Sequence, residues 1–280
     1  MDPLIRMREA HFKGLIPDDI YDLVVKRFPI TVDGINRIEK ASGIRYPTAY
    51  VEPSIVISSP NPNSYEFGIL FARTIPIFFD DKFHVVIQIS APLVAYGLKG
   101  TIHAILAHEF LHFLELIRKI SKMDLLSDEI TGNLFESVYA DETRLFEPKA
   151  VFKDRTLLDH ITKRFPAGFR DHKLEDKVIK FWLEKNLPKI NISLDANTVK
   201  LSAESLSKIK LDPAFLHKID QLEQKSAKII KKKLYWLNSV NPHFPQVFLS
   251  LCLDMKTPFP HLEQFFLPLD NLSPSILKYL

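Results

Sequence analysis

The sequence predicts an α+β fold, and three observations predict it. Short β-like runs recur between residues 54 and 89. A stretch over 102–117 is apolar almost throughout and too long for a strand. The spacing beyond residue 148 is mostly helical. The expected order is a helical segment over 1–45, a core over 46–150 with a small mixed or antiparallel sheet ahead of its long helix, and a helical region over 151–280 packed on that core.

Residues 18–28 read as an amphipathic helix that starts with Asp18 and Asp19, acids placed where a helix dipole favours them. Residues 31–42 read as a second helix, with Gly43 as its stop. The period then changes. Residues 54–58, 66–72, 75–79 and 84–89 are β-like, with turn signals at Asn61-Pro62-Asn63 and Asp80-Asp81. The last strand before the long helix, residues 83–90, is either a sheet edge able to pair with an extended substrate or a plain core strand. A second helix spans residues 135–147, started by Ser127 or Asp128 and ended by Pro148. Further helices are expected over 174–187, 203–209 and 213–237, the last with Pro213 in its first turn. The basic run from Lys228 to Lys233 reads as a solvated face, and the tail beyond Asn241 is rich in Pro and Phe, too apolar for disorder.

The chemistry is concentrated in His108-Glu109-Phe110-Leu111-His112, an H-E-x-x-H motif. Positions i and i+4 share a helix face, so both imidazoles can reach one small cation. Glu109 lies beside them as a proton acceptor for water activated by that cation. Ile105, Leu106, Ala107, Phe110, Leu111, Phe113 and Leu114 surround the three polar groups. Burying such groups without partners is expensive, and a metal is the simplest partner. Thr101 is the expected N-cap of this helix. His103 points roughly 140° away from His108 and reads as a capping or surface residue, not a ligand.

Catalytic zinc takes three protein ligands and keeps one position open. Phe113-Leu114-Glu115-Leu116-Ile117-Arg118 follows His112 and holds neither Gly nor His, which excludes the metzincin continuation. Three carboxylates of the second helix compete for the third position. Glu136 shares a face with Gly132, Ala140 and Thr143, small residues that allow close approach; Glu142 sits among Phe135, Val138 and Phe146; Asp141 flanks that stripe and suits a supporting role behind an imidazole. Tyr139, His160, Arg170 and His172 are candidate donors to an oxyanion, with no spacing that singles one out.

His108-Glu109-x-x-His112, followed by a helix bearing Glu136 and Ala140-Asp141, resembles the gluzincin group of zinc metallopeptidases, the thermolysin clan, over about residues 75–148. The resemblance implies a zincin-like fold, Zn2+ held by His108, His112 and Glu136, Glu109 as general base, and a peptide or protein substrate. The chain departs from the group's second signature, E-x-x-x-D. The fourth residue after Glu136 is Ala140, and the acid falls one later at Asp141. The departure keeps open a second reading, a zinc-binding protein of the same fold that turns nothing over and serves a structural, regulatory or partner-binding role.

Composition sets the remaining bounds. A chain of 280 residues with 46% hydrophobic and 25% charged residues can bury a sizeable core. A net charge of +3 is too weak to argue for nucleic acid. Cys252 is the sole cysteine, which excludes an internal disulfide and a cysteine-built zinc finger and fits a reducing cytoplasm. Residues 1–6 lack an apolar signal core, and no apolar stretch reads as a membrane span.

Overall fold

The computed structural model describes residues 2–59, 68–79, 82–122, 145–164, 171–193 and 209–240. The chain opens with helices α1 (Ile5–Phe12) and α2 (Asp18–Ser42). Strands β1 (Thr48–Glu52), β2 (Ile55–Ser59), β3 (Gly68–Leu70), β4 (Ala72–Phe79) and β5 (Lys82–Ser90) follow. Next come α3 (Ala91–Tyr96) and α4 (Lys99–Lys122). After them lie α5 (Pro148–Val151), α6 (Arg155–Arg164) and α7 (His172–Val178), which runs on into a π-helical turn at Ile179–Leu183. Strand β6 (Lys189–Ser193) and helix α8 (Pro213–Val240) complete the described elements. The class is α+β, with two small sheets among many helices.

The first sheet has the order β1-β5-β4, with β1 parallel and β4 antiparallel to β5. Strand β5 is therefore the central strand, and residues 83–90 are no edge. Val85 through Ser90 are buried in succession, which is why the run is nearly continuously apolar instead of alternating. Among the described residues, β4 is the edge on the α4 side. The second sheet, β3-β2-β6, joins a strand after the π turn to one that lies between β1 and β4 in the chain. Neither β1 nor β6 carries a sequence signal strong enough to be expected.

Where two N-terminal helices were expected, one forms. Pro29 lies inside α2 and removes one backbone donor there, yet the helix continues to Ser42 and ends at Gly43 with φ 69°. Tertiary contacts outweigh that local cost. Arg27 donates to the carbonyls of Val94 and Gly97 at the end of α3, and the Ile30 carbonyl accepts from His103 at 3.1 Å. Gly34 lets α2 approach α4, since a Cβ there would stand 2.8 Å from His103 Cδ2.

Helix α4 begins at Lys99, so Thr101 is in its first turn and is not the N-cap; its buried hydroxyl donates instead to Asp171 Oδ2 at 3.0 Å. The helix packs against α2, α6, α8 and β4, and an element apolar all round belongs in such a place. Phe110 is fully buried and stacks with Tyr46 at 5.5 Å between ring centroids. Arg118, six residues beyond the motif, pairs with Asp220 at 2.7 Å and Glu223 at 2.6 Å and fastens α8 to α4. Asp212 caps α8 by accepting from Ala214 N at 3.0 Å, with Pro213 first in the helix as expected. Pro148 opens α5, with Glu147 in extended conformation before it. Among the described residues no helix is long and apolar enough to cross a membrane.

Candidate metal centre

Helix α4 brings His108 and His112 together one turn apart. Their Nε2 atoms stand 3.0 Å from each other and the rings meet edge to face, with centroids 4.6 Å apart. Two N–H groups cannot face each other at that distance, so at least one nitrogen presents a lone pair. Behind His112, Nδ1 lies 3.5 Å from Glu115 Oε2. A carboxylate on that side favours the proton on Nδ1 and so makes the Nε2 lone pair the one that would face a cation. The other oxygen of Glu115 accepts from Leu145 N at 2.9 Å, so one carboxylate joins a candidate ligand to the segment leading into α5.

The pair fits zinc. Two imidazole nitrogens at about 2.0–2.1 Å from a tetrahedral zinc stand about 3.3 Å apart. The observed 3.0 Å is within a few tenths of an ångström of that separation and needs only a small rotation of either ring. His108 is 5% exposed, Glu109 7%, and their surroundings are apolar. Two imidazole nitrogens also match zinc's preference for nitrogen and oxygen ligands.

Glu109 points toward the sheet. Its Oε2 accepts from Thr74 Oγ1 at 2.8 Å, and the same hydroxyl is 3.1 Å from the Glu109 carbonyl. Thr74 lies on β4, the edge strand, so the edge itself fixes the carboxylate. Oε1 meets no hydrogen-bond donor among the described residues. Nearby, Tyr46 donates to the Leu106 carbonyl at 2.8 Å, and its phenol is pushed well up, first by burial and then by the charge of Glu109. It stays a donor throughout the ordinary pH range.

The far face of the sheet holds β4 in register. Arg73 donates to Gln88, its partner across β4 and β5, and Gln88 donates in turn to Glu52 at 2.8 Å and Tyr50 at 3.0 Å. Arg6 from α1 closes the chain with an ion pair to Glu52 at 2.6 Å. Burial pulls the Arg73 guanidinium down from its usual range, against the opposing pull of Tyr50, Glu52 and Glu109.

Of the four expected site residues, His108 and His112 are thus brought together, and Glu109 adjoins them on the same helix with its carboxylate on Thr74. Glu136 lies outside the described residues, as do its competitors Asp141 and Glu142 and the oxyanion candidates Tyr139 and Arg170. Among the described residues no three His, Cys, Asp or Glu side chains form a metal-holding group. His160 is not at the centre. It packs on Gly100, whose Cβ would come within 2.9 Å of its ring, about 12 Å along α4 from His108. His172 is exposed and pairs with Glu175 at 3.4 Å. His103 is buried, not on the surface. Its Nε2 donates to Ile30, its Nδ1 accepts from Arg37 at 3.3 Å, and burial holds its pKa below the usual histidine value, so the ring is neutral at pH 7.

Thr74 and Glu115 were not singled out from the sequence. Glu115 had a readable signal, three residues after His112 on the same helix face. Thr74 had none, being 35 residues from Glu109 and joined to it only by the packing of α4 on β4. Comparison of the chain with protein-family models, with curated proteins and with solved structures finds no significant match.

Proposed function

We propose that this chain is a zinc-dependent metallopeptidase of zincin-like architecture, which hydrolyses peptide bonds in a peptide or protein substrate. The observation that carries the reading is the convergence of His108 Nε2 and His112 Nε2 at 3.0 Å, with Glu109 held beside them by an edge strand. His108 and His112 are two ligands, and Glu136 is the proposed third, with Glu142 and Asp141 as its rivals. When bound, zinc supplies Lewis acidity that polarises a carbonyl and brings the pKa of water down to about 7.

The chain's own groups do the rest. Glu109 takes the proton of the attacking water on Oε1 as the carbon–oxygen bond forms, then gives it to the amine as the carbon–nitrogen bond breaks. Thr74 keeps Oε2 engaged and so fixes the direction of Oε1. Glu115 orients His112 through Nδ1. The buried, apolar surroundings of α4 exclude competing water and strengthen each electrostatic contact. The single cysteine supports a reducing compartment, the cytoplasm.

The test compares wild type with Glu109→Gln on a peptide library. The variant is expected to keep its zinc and to lose a hundredfold or more of the hydrolysis rate, about the range of a general base. Equal cleavage by the two would overturn the role of Glu109. A zinc-loaded wild type inert toward every peptide would favour the non-catalytic zinc protein, the reading that the E-x-x-x-D departure supports.

A further inference from the structure

Strands β1 and β5 pair only from Thr48 opposite Val86 to Glu52 opposite Ser90. Strand β5 starts four residues earlier, at Lys82. Pro47, just before Thr48, has no N–H to extend a ladder, and the chain from Gly43 to Pro47 diverges from β5. The splayed strands leave a groove of about 580 Å³, within the range of small-ligand sites. Its lining includes Phe83, Val85, Phe113, Ile117 and, from α8, Phe215, which stacks with Phe113 at 5.9 Å.

The charge at this groove is one-sided. Arg45, Lys210 and Lys218 line it against a single acid among the described residues, Asp212, whose carboxylate already caps α8. Arg45 and Lys210 make no hydrogen bond or ion pair among the described residues, and Lys218 only a 3.4 Å contact to the Gly43 carbonyl. Cations without such partners among the described residues, beside the half-buried rings of Phe83 and Phe215, suit an occupant with the complementary pattern. His108, Glu109 and His112 are not among the residues that line the groove. Phe113 and Ile117 project about 140° and 180° around α4 from His108.

We infer that this groove binds an organic anion with an apolar, ring-sized body, its rings against Phe113 and Phe215 and its charge toward Arg45 and Lys210. The inference does not depend on the metallopeptidase reading. The probe is 4-biphenylcarboxylate, titrated by calorimetry into the full chain beside 4-biphenylmethanol, the same body without charge. Saturable binding of the carboxylate near or below about 1 mM is expected, with the alcohol about tenfold weaker. The Arg45→Gln/Lys210→Gln variant changes two exposed side chains and should melt like wild type while binding the carboxylate about tenfold more weakly. The His108→Ala variant should bind it as wild type does. Absence of saturation, equal binding of acid and alcohol, unchanged binding in the double variant, or loss of binding in His108→Ala would each overturn the inference.

Discussion

Replacing Gly34 by Ala tests whether α2 positions α4. The new Cβ would stand 2.8 Å from His103 Cδ2 and 2.9 Å from Leu106 Cδ1, against a comfortable carbon contact of about 3.5–4.0 Å. Something must move by about 0.7 Å or more. The Leu106 methyl can turn aside. The His103 ring cannot, because it is 1% exposed and bonded at both nitrogens, to Ile30 O at 3.1 Å and Arg37 Nη1 at 3.3 Å. Overpacking of this kind costs about 1–3 kcal/mol. Against it, Ala is favoured over Gly within a helix by about 1 kcal/mol. The steric term wins, and a net loss of about 1 kcal/mol is expected in urea unfolding. Stability equal to or above wild type would show slack between α2 and α4 and would refute the close packing argued here.

Thr74→Val keeps shape and removes the hydroxyl that holds Glu109; a hydrogen bond to a charged group is worth about 1.5–3 kcal/mol, so hydrolysis should fall about tenfold or more with zinc content unchanged, and an unchanged rate would remove Thr74 from the site. Glu115→Leu should weaken zinc about tenfold to a hundredfold, measured by competition with a chelator, and an unaltered affinity would show that the carboxylate does not orient His112. The third prediction concerns pH. The Arg37 guanidinium, at 2.6 and 2.8 Å, and the amides at the start of α6 hold the Asp154 carboxyl at about 2, below its ordinary 3.8. A depressed carboxylate contributes stability that is present above 3.8 and lost as pH falls toward about 2. With both partners a quarter exposed, the contribution is about 1 kcal/mol after solvent screening. Asp154→Asn should therefore be less stable than wild type at pH 6 and converge with it near pH 2; a gap that persists at low pH would contradict the assignment.

What the sequence made legible follows the range of the interactions involved. H-E-x-x-H is local, and its histidines meet because a helix turns 100° per residue. The class was legible for the same reason, since strand and helix periods differ within a few residues. Helix α2 was misread as two because Pro29 is a local break signal, overridden by contacts to α3 and α4 about 65–75 residues away. The place of β5 could have been settled from Val85-Val86-Ile87, a run without alternation and so a central strand. Strand β6 was not legible, because Lys189 to Ser193 owes its strand state to parallel pairing with β2, more than 130 residues upstream. Thr101 looked like a cap because its partner, Asp171, is 70 residues away.

The central claim is that His108 and His112 hold zinc. Metal analysis of the purified full chain, run beside His108→Ala and Glu109→Gln, tests it most directly. The account predicts about one zinc per chain in wild type and Glu109→Gln and a loss of zinc in His108→Ala. A wild type that takes up no zinc, or a His108→Ala variant that keeps it undiminished, would contradict the account.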